Sequence, residues 1–379
     1  MFETGEYMIY FDNAATTGKK PISVVNAVNN SLYKFSANPG RSGHKCSQDA
    51  AFLIYDTRNN LANYFDANGA ECVAFTANCT HSINFVLKGC LNKDDHIIVS
   101  DMEHNAVMRP LLKCGVDYSV AEVSFDDDDL TVNNFNKLIK KNTKMIFCTS
   151  ASNVTGKILP LEKIGQLCKE NNLLFGVDAA QLAGVLPIKM KEMNIDYLCI
   201  APHKGLYAPM GLGILISNKP IKETIIEGGT GTNSVDYIQP EEFPERLESG
   251  TVNLPAISGT NAGLEFIKKY KNSIYKHEMH LSSYFYNRLN KMKNVKLYTP
   301  YPEKLSFAPV ISFNIKNYSS EQVSEMLNKH GFALRGGLHC APSAHKKIGT
   351  TDIGTVRFSP SFFNNIKEVE KIVNIVKKL

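Results

Sequence analysis

Residues 196–217 read DYLCIAPHKGLYAPMGLGILIS. Two apolar runs, YLCIA (197–201) and LGILIS (212–217), flank a turn that carries His203, Lys204 and Gly205. Short apolar runs bounded by Gly and Pro suit strands buried on both faces. Lysine is ordinarily kept in water. Lys204 stands instead where the chain turns out of a buried sheet, which makes it a candidate for chemistry.

The same alternation extends outward. Strands are predicted at CVAFT (72–76), HIIVS (96–100), YSVAEVS (118–124), MIFCTS (145–150) and LLFGVDA (173–179), ahead of the two runs above. Helices are predicted near 47–65, 80–90, 105–113, 132–141, 161–171 and 187–193. Continuous apolar runs alternating with helices predict an α/β fold, with a mostly parallel seven-stranded sheet sandwiched by helices. After GTVNLPAISGT the pattern changes. A long amphipathic helix over about 256–293 is followed by FAPVISFNI, a helix near 319–330, FALRGG, a strand around TVRFSP and a last helix from about 366. This reads as a large domain over 12–255 and a small α+β domain over 256–379, with residues 1–11 packing nearby. FDDDDL (125–130) reads as a solvated acidic turn.

Composition excludes several classes. The net charge of +5 is spread along 379 residues with no dense Lys/Arg block, so no nucleic-acid footprint is expected. No apolar run approaches the roughly 20 residues that span a bilayer, so no membrane role is expected. The nine cysteines form no CxxC pair, their number is odd, and most lie inside apolar runs. With no apolar N-terminal segment, this predicts a reducing cytoplasm.

In parallel α/β sheets ligands bind beyond the carboxyl ends of the strands. There the sequence places ANCTHSIN, DMEHNAV, ASNVTG, DAAQ and PHK. That set suits pyridoxal 5′-phosphate. The aldehyde needs an amine for a Schiff base, and Lys204 supplies one. The ring nitrogen stays protonated only beside a buried carboxylate, and Asp178 fits. Gln181 is placed to reach the ring hydroxyl or the aldimine region, and His104 to stack on the ring. Cys79, Thr80 and their turn offer a phosphate cradle at a helix N-terminus, with His203 adding a contact.

Read together, YFDNAATT, NPGRSGH, MEHNAV, SNVTG, VDAAQ, HKGLYAPMGLG, ESGTVN and RGGLHCAP resemble the landmarks of fold-type I, class V pyridoxal-phosphate enzymes, and most closely the cysteine desulfurases and selenocysteine lyases. The landmarks run from residue 10 to about 360. The resemblance implies that Lys204 carries the cofactor, His104 stacks on it, Asp178 holds its ring nitrogen, and Thr80 and His203 bind its phosphate. It implies that Gln181 and Asn153 contact the ring hydroxyl and the substrate carboxylate. Thr251 is similar to a phosphate ligand given by a neighbouring subunit, which implies a homodimer. Arg357 is similar to the arginine that pairs with the substrate α-carboxylate, where a planar fork suits the partner. Two positions depart from the pattern. Ala201 stands where a serine or threonine is common, and Cys79 and His81 where threonine and glutamate are common.

Cofactor chemistry alone leaves transamination, elimination and racemisation open. Desulfuration adds a second nucleophile, a thiolate that takes the substrate's sulfur as a persulfide. Cys340, in ALRGGLHCAPSAHKKIG, is the candidate. Arg335 and His339 are read as cations that favour its thiolate, and Gly336 and Gly337 as giving the segment freedom to move. The resulting expectation is a homodimeric enzyme that converts L-cysteine to L-alanine and passes sulfur to an acceptor protein. Selenocysteine lyase, aminotransferase, cysteine β-lyase and a non-catalytic sulfur-transfer scaffold remain alternatives.

Overall fold

A computed structural model describes residues 8–40, 42–232 and 235–379. The expectations for residues 1–7 and for Arg41 of NPGRSGH therefore lie outside the described residues. The chain forms two compact units. One comprises Lys20–Ser150 and Pro160–Lys269. The other comprises Met1–Lys19 (described from Met8), Ala151–Leu159 and Tyr270–Leu379.

The first unit is built on a seven-stranded sheet. Its strands are β1 (Val73–Thr76), β2 (His96–Ser100), β3 (Asp117–Ala121), β4 (Thr143–Thr149), β5 (Leu174–Asp178), β6 (Tyr197–Ile200) and β7 (Gly213–Ser217). They lie in the order β1-β7-β6-β5-β4-β2-β3. Only β7 runs against its neighbours; the other pairings are parallel. Strands β1, β2, β6 and β7 are buried along their whole length, which explains their unbroken apolar runs, whereas the edge strand β3 is largely exposed. Register sets Thr149 beside Asp178 and Asp178 beside Cys199, aligning the carboxyl ends of β4, β5 and β6.

Two local expectations change. No helix covers 187–193; turns carry the crossover from β5 to β6. Pro187 has no N–H to give a helix, and Met190 N–H donates to Phe65 O at the end of the Lys45–Phe65 helix (2.8 Å). The helix predicted over 132–141 spans Asp128–Asn136. It begins within the acidic run because Asp127 accepts from Leu130 N–H (2.8 Å) while Asp128 and Asp129 face the positive end of the helix dipole.

The second unit holds a three-stranded antiparallel sheet with Ile311–Ile315 between Val295–Leu297 and Val356–Phe358. Ile9–Tyr10 pairs in parallel with Phe332–Ala333. Its core stacks Phe285 on Phe358 at 4.0 Å and sets Phe11 4.6 Å from Phe358, a geometry that adds about 1 kcal/mol per pair beyond burial. The segment Ala151–Leu159 belongs here because Ala308 N–H donates to Gly156 O (2.7 Å). Gly156 has φ 75°, and a Cβ there would lie 2.8 Å from Ala308 O, so only glycine serves.

The sequence reading divides the chain at 255/256. The units divide inside the helix Leu254–Leu289, whose backbone breaks at Lys271 (φ 13°, ψ −95°). The polar run KKYKNS carries no Gly or Pro to announce that break.

Candidate active site

The first unit gathers one group of side chains. Asp178 ends β5 and is 4% exposed. Its Oδ1 accepts from Ala180 N–H (3.0 Å) and from the Cys79 thiol (3.7 Å), and its main-chain oxygen accepts from Ser150 N–H (2.8 Å) and Oγ (3.0 Å). Oδ2 has no hydrogen-bond partner among the described residues. Burial pushes the Cys79 thiol up, and the Asp178 charge adds to the shift, so Cys79 stays protonated and donates. Cys79 is thus tied through its side chain to the carboxylate, while its backbone begins the Cys79–Cys90 helix. Asn78 caps that helix by accepting from His81 N–H (3.0 Å). The Cys79 and Thr80 N–H groups have no acceptor among the described residues, and Thr80 is exposed.

Lys204 is half-buried in the turn after β6. The turn is fixed by Lys204 N–H to Ala201 O (3.1 Å), Tyr207 N–H to Lys204 O (3.1 Å) and Ala208 N–H to Pro202 O (3.0 Å). A Cβ on Gly205 would lie 2.2 Å from Ala183 O, so glycine lets this turn press against the segment that follows Asp178. The charge of Lys204 acts on both Cys79 and His203. Burial, then the charges of Lys204 and Lys20, pull His203 down to about 4. The ring is therefore neutral near pH 7. Lys20, itself lowered to about 8 by burial, donates to His203 O (3.1 Å). Gln181 lies half-buried in the turn after β5.

His104 caps the helix Asn105–Cys114: its Nδ1 accepts from Ala106 N–H (3.0 Å). The cap fixes the ring's orientation, as a stacking residue needs. Its neighbour Glu103 is fully buried, and sequence reasoning missed it. Glu103 Oε1 accepts from Thr149 N–H (3.0 Å) and from the Ser100 N–H and hydroxyl, whereas Oε2 has no partner among the described residues. Burial drives Glu103 up to about 8, partly offset by these donors. Between pH 4.5 and about 8 the folded state keeps a proton that the unfolded state releases, so this group's contribution to stability falls as pH rises. Glu103→Gln should remove that slope. Its stability relative to the native chain should increase across this window by on the order of 5 kcal/mol, read by urea unfolding at each end. An unchanged difference would contradict the account.

Thr251 is exposed and lines a cleft of about 250 Å³ with Arg58, Glu248, Asn38, Thr230 and Thr232. Glu248 fixes the approach to this segment: it pairs with Arg58 Nη2 (2.5 Å) and accepts from Phe75 N–H on β1 (2.6 Å).

The second unit gathers Arg357, Asn153 and Cys340. Arg357 is 1% exposed. Its Nη2 pairs with Asp12 Oδ1 (2.7 Å), its Nη1 donates to Asn153 O (3.2 Å), and its Nε has no acceptor among the described residues. Asp12 escaped the sequence reading, although YFDNAATT contains it. The amide of Asn153 donates to His339 O (2.8 Å), so one of its hydrogens is already engaged within the unit.

Cys340 is exposed, and Arg335 Nη2 donates to its sulfur at 3.7 Å. The expectation that His339 supplies a second cation is not met. His339 is 1% exposed, and burial, then the charges of Arg357 and Arg335, pull it down to about 2. It is neutral. The expectation that Gly336 and Gly337 give freedom of movement also changes. A Cβ on Gly336 would lie 2.4 Å from Ser320 O, and Gly337 exchanges two 3.1 Å hydrogen bonds with Thr355. These glycines serve close packing.

The two groups fit pyridoxal phosphate and an amino-acid substrate. A buried aspartate with one oxygen doubly donated to and the other open suits a ring N–H. Two open N–H groups in a helix's first turn suit a phosphate. A buried guanidinium with an unmatched Nε suits a carboxylate.

The fold and these side chains define a class of enzyme. The aminotransferase class-V family model matches residues 9–372, and the chain belongs to that family, whose members depend on pyridoxal phosphate. More narrowly, the chain is similar to a probable cysteine desulfurase of Pyrococcus abyssi, 31% identical over 98% of this chain and 94% of the relative. A probable cysteine desulfurase of Borreliella burgdorferi is 30% identical over 99% and 92%. The apo structure of cysteine desulfurase from Thermococcus onnurineus aligns with a TM-score of 0.88 at 30% identity, covering 98% of this chain and 94% of that one. These likenesses bear out the sequence resemblance and the predicted fold class.

Proposed function

We propose that this cysteine desulfurase binds pyridoxal 5′-phosphate through Lys204, Asp178, His104, Gln181, His203, Thr80 and the Cys79 N–H. It takes the sulfur of L-cysteine onto Cys340 and releases L-alanine. When bound, the cofactor supplies an electron sink conjugated to the substrate's α-carbon. Lys204 Nζ anchors the aldehyde and, as a free amine, carries the Cα proton. Asp178 holds the ring N–H, and Arg357, with Asn153 beside it, orients the α-carboxylate. The Cys340 thiolate attacks the substrate sulfur; as the S–S bond forms, the Cβ–S bond breaks with its electron pair left on carbon, and protonation at Cβ gives alanine beside the Cys340 persulfide.

The observation that carries this reading is the state of the thiols. Burial raises Cys72, Cys79, Cys90, Cys114, Cys148, Cys168 and Cys199. The two exposed thiols are Cys46 and Cys340. Of these, only Cys340 has a cationic side chain donating to it among the described residues. A thiolate near a cation is the competent nucleophile. Cys340→Ala should keep the bound cofactor's colour and lose at least about 100-fold in alanine formation from cysteine. Undiminished turnover with a reductant present would show that the thiol is dispensable and favour an aminotransferase or β-lyase.

The reading extends to a homodimer, with Thr251 reaching the neighbour's phosphate site. Ile22, Leu32 and Tyr33 on the helix Ile22–Lys34, and Phe52 and Tyr55 on the helix Lys45–Phe65, are exposed on the first unit. An apolar surface of this kind favours association. Sedimentation equilibrium should return twice the 42.1 kDa chain mass; the mass of a single chain at micromolar concentration would contradict it. No helix among the described residues is long and apolar enough to cross a membrane, and the nine unpaired thiols suit the cytoplasm. The persulfide sulfur then passes to an acceptor protein.

A further inference from the structure

We propose that His339 is a positioning residue for Cys340, holding the thiol in place through the backbone rather than through charge. The inference rests on the reading of Cys340 as the sulfur acceptor. His339 and Cys340 have φ 48° and 58°. Two successive non-glycine residues in the left-handed region are unfavourable, because such residues visit it singly and mostly as Asn, Asp or Gly. Surrounding contacts must impose this conformation.

Those contacts converge on His339. Its Nε2 donates to Thr355 O (2.9 Å); a carbonyl only accepts, so Nε2 carries the proton. Its own carbonyl accepts from Asn153 Nδ2 (2.8 Å). The ring is buried, and its Nδ1 has no partner among the described residues. Next to it, Ala341 N–H donates to Leu338 O (2.9 Å), closing a turn across His339 and Cys340. Side chain and carbonyl thus fix the peptide that leads into Cys340, and the exposed sulfur is left facing Arg335. A neutral ring buried in this way is a peg. The strain at Cys340 is maintained by its neighbour.

Holoenzyme carrying His339→Ala, His339→Gln and the native residue distinguishes this role from others. The Gln Nε2 sits as many bonds from the backbone as the His Nε2 and donates without titrating, so it can replace the bond to Thr355 O. Two quantities are read for each protein: the single-turnover rate of persulfide formation on Cys340 after addition of L-cysteine, and the pH profile of Cys340 alkylation by iodoacetamide. Cofactor absorbance and circular dichroism establish folding. If His339→Ala does not yield folded holoenzyme, His339→Asn replaces it, since Asn tolerates the left-handed region but is too short for Thr355.

The expected result is a loss of about 10- to 100-fold in persulfide formation with Ala or Asn, the scale of a thiol displaced by about 1 Å. Substrate KM should be unchanged, Gln should recover most of the rate, and the alkylation midpoint should stay in place in all variants. Native rates in His339→Ala, failure of Gln to rescue, or an upward shift of the midpoint would each overturn the proposal, the last by making His339 a cation. If native holoenzyme forms no persulfide on Cys340, the underlying reading fails first and this inference with it.

Discussion

Lys204→Ala should give a protein that holds pyridoxal phosphate without a covalent bond and forms alanine from cysteine at least about 1,000-fold more slowly. Borohydride should then fix no cofactor to the chain, whereas the native protein should carry the label on the peptide containing Lys204. The size of the effect follows from the two roles given to one amine, as anchor and as proton carrier. The turn that presents it depends on Ala201, Pro202 and Gly205 backbone contacts rather than on the ammonium, so fold and stability should be nearly unaffected. A label on another lysine, or turnover within tenfold of native, would remove the basis of the assignment.

Arg357→Ala is expected to fail in two ways. Arg357 is buried and paired with Asp12 at 2.7 Å. Removing one member of such a pair leaves a charge without its partner, at a cost of about 3 kcal/mol read by urea unfolding. Loss of the guanidinium and its open Nε donor should also raise KM for cysteine about 100-fold. Arg357→Lys keeps a charge but not the planar fork. It should recover part of the stability and little of the affinity. An Arg357→Lys enzyme with native KM would show that Arg357 is structural and that the α-carboxylate binds elsewhere.

The pattern of short apolar runs ending in polar turns was enough to place the strands of the seven-stranded sheet; for those buried on both faces the signature is a continuous apolar run, whereas the exposed edge strand β3 shows only the alternating run YSVAEVS. The candidates at the ends of β5 and β6 were legible for the same reason: the ligand-binding rim of a parallel sheet follows from its strand direction. What the sequence hid were contacts between distant residues. Asp12 and Arg357 are 345 positions apart, and nothing local marks either as the other's partner. His339 looked like a cation because it stands beside Cys340 in sequence; the fold turns its ring inward to Thr355. Glu103, which the sequence reading passed over beside His104, is fully buried. Asn153 reads as part of the large sheet's rim, yet its segment is held by Ala308 in the second unit. Cys79, expected at a phosphate, gives its side chain to Asp178. In each case tertiary burial decided the role, and burial of a single polar residue leaves no periodic trace.

The central claim concerns one sulfur atom, and mass spectrometry of the protein after incubation with L-cysteine tests it most directly. Peptide mapping without reductant should find the added mass of one sulfur on the peptide containing Cys340, absent from Cys340→Ala and lost on treatment with a thiol. A native protein that turns cysteine over while Cys340 stays unmodified, or that carries the sulfur on Cys46 or Cys79, would contradict the account.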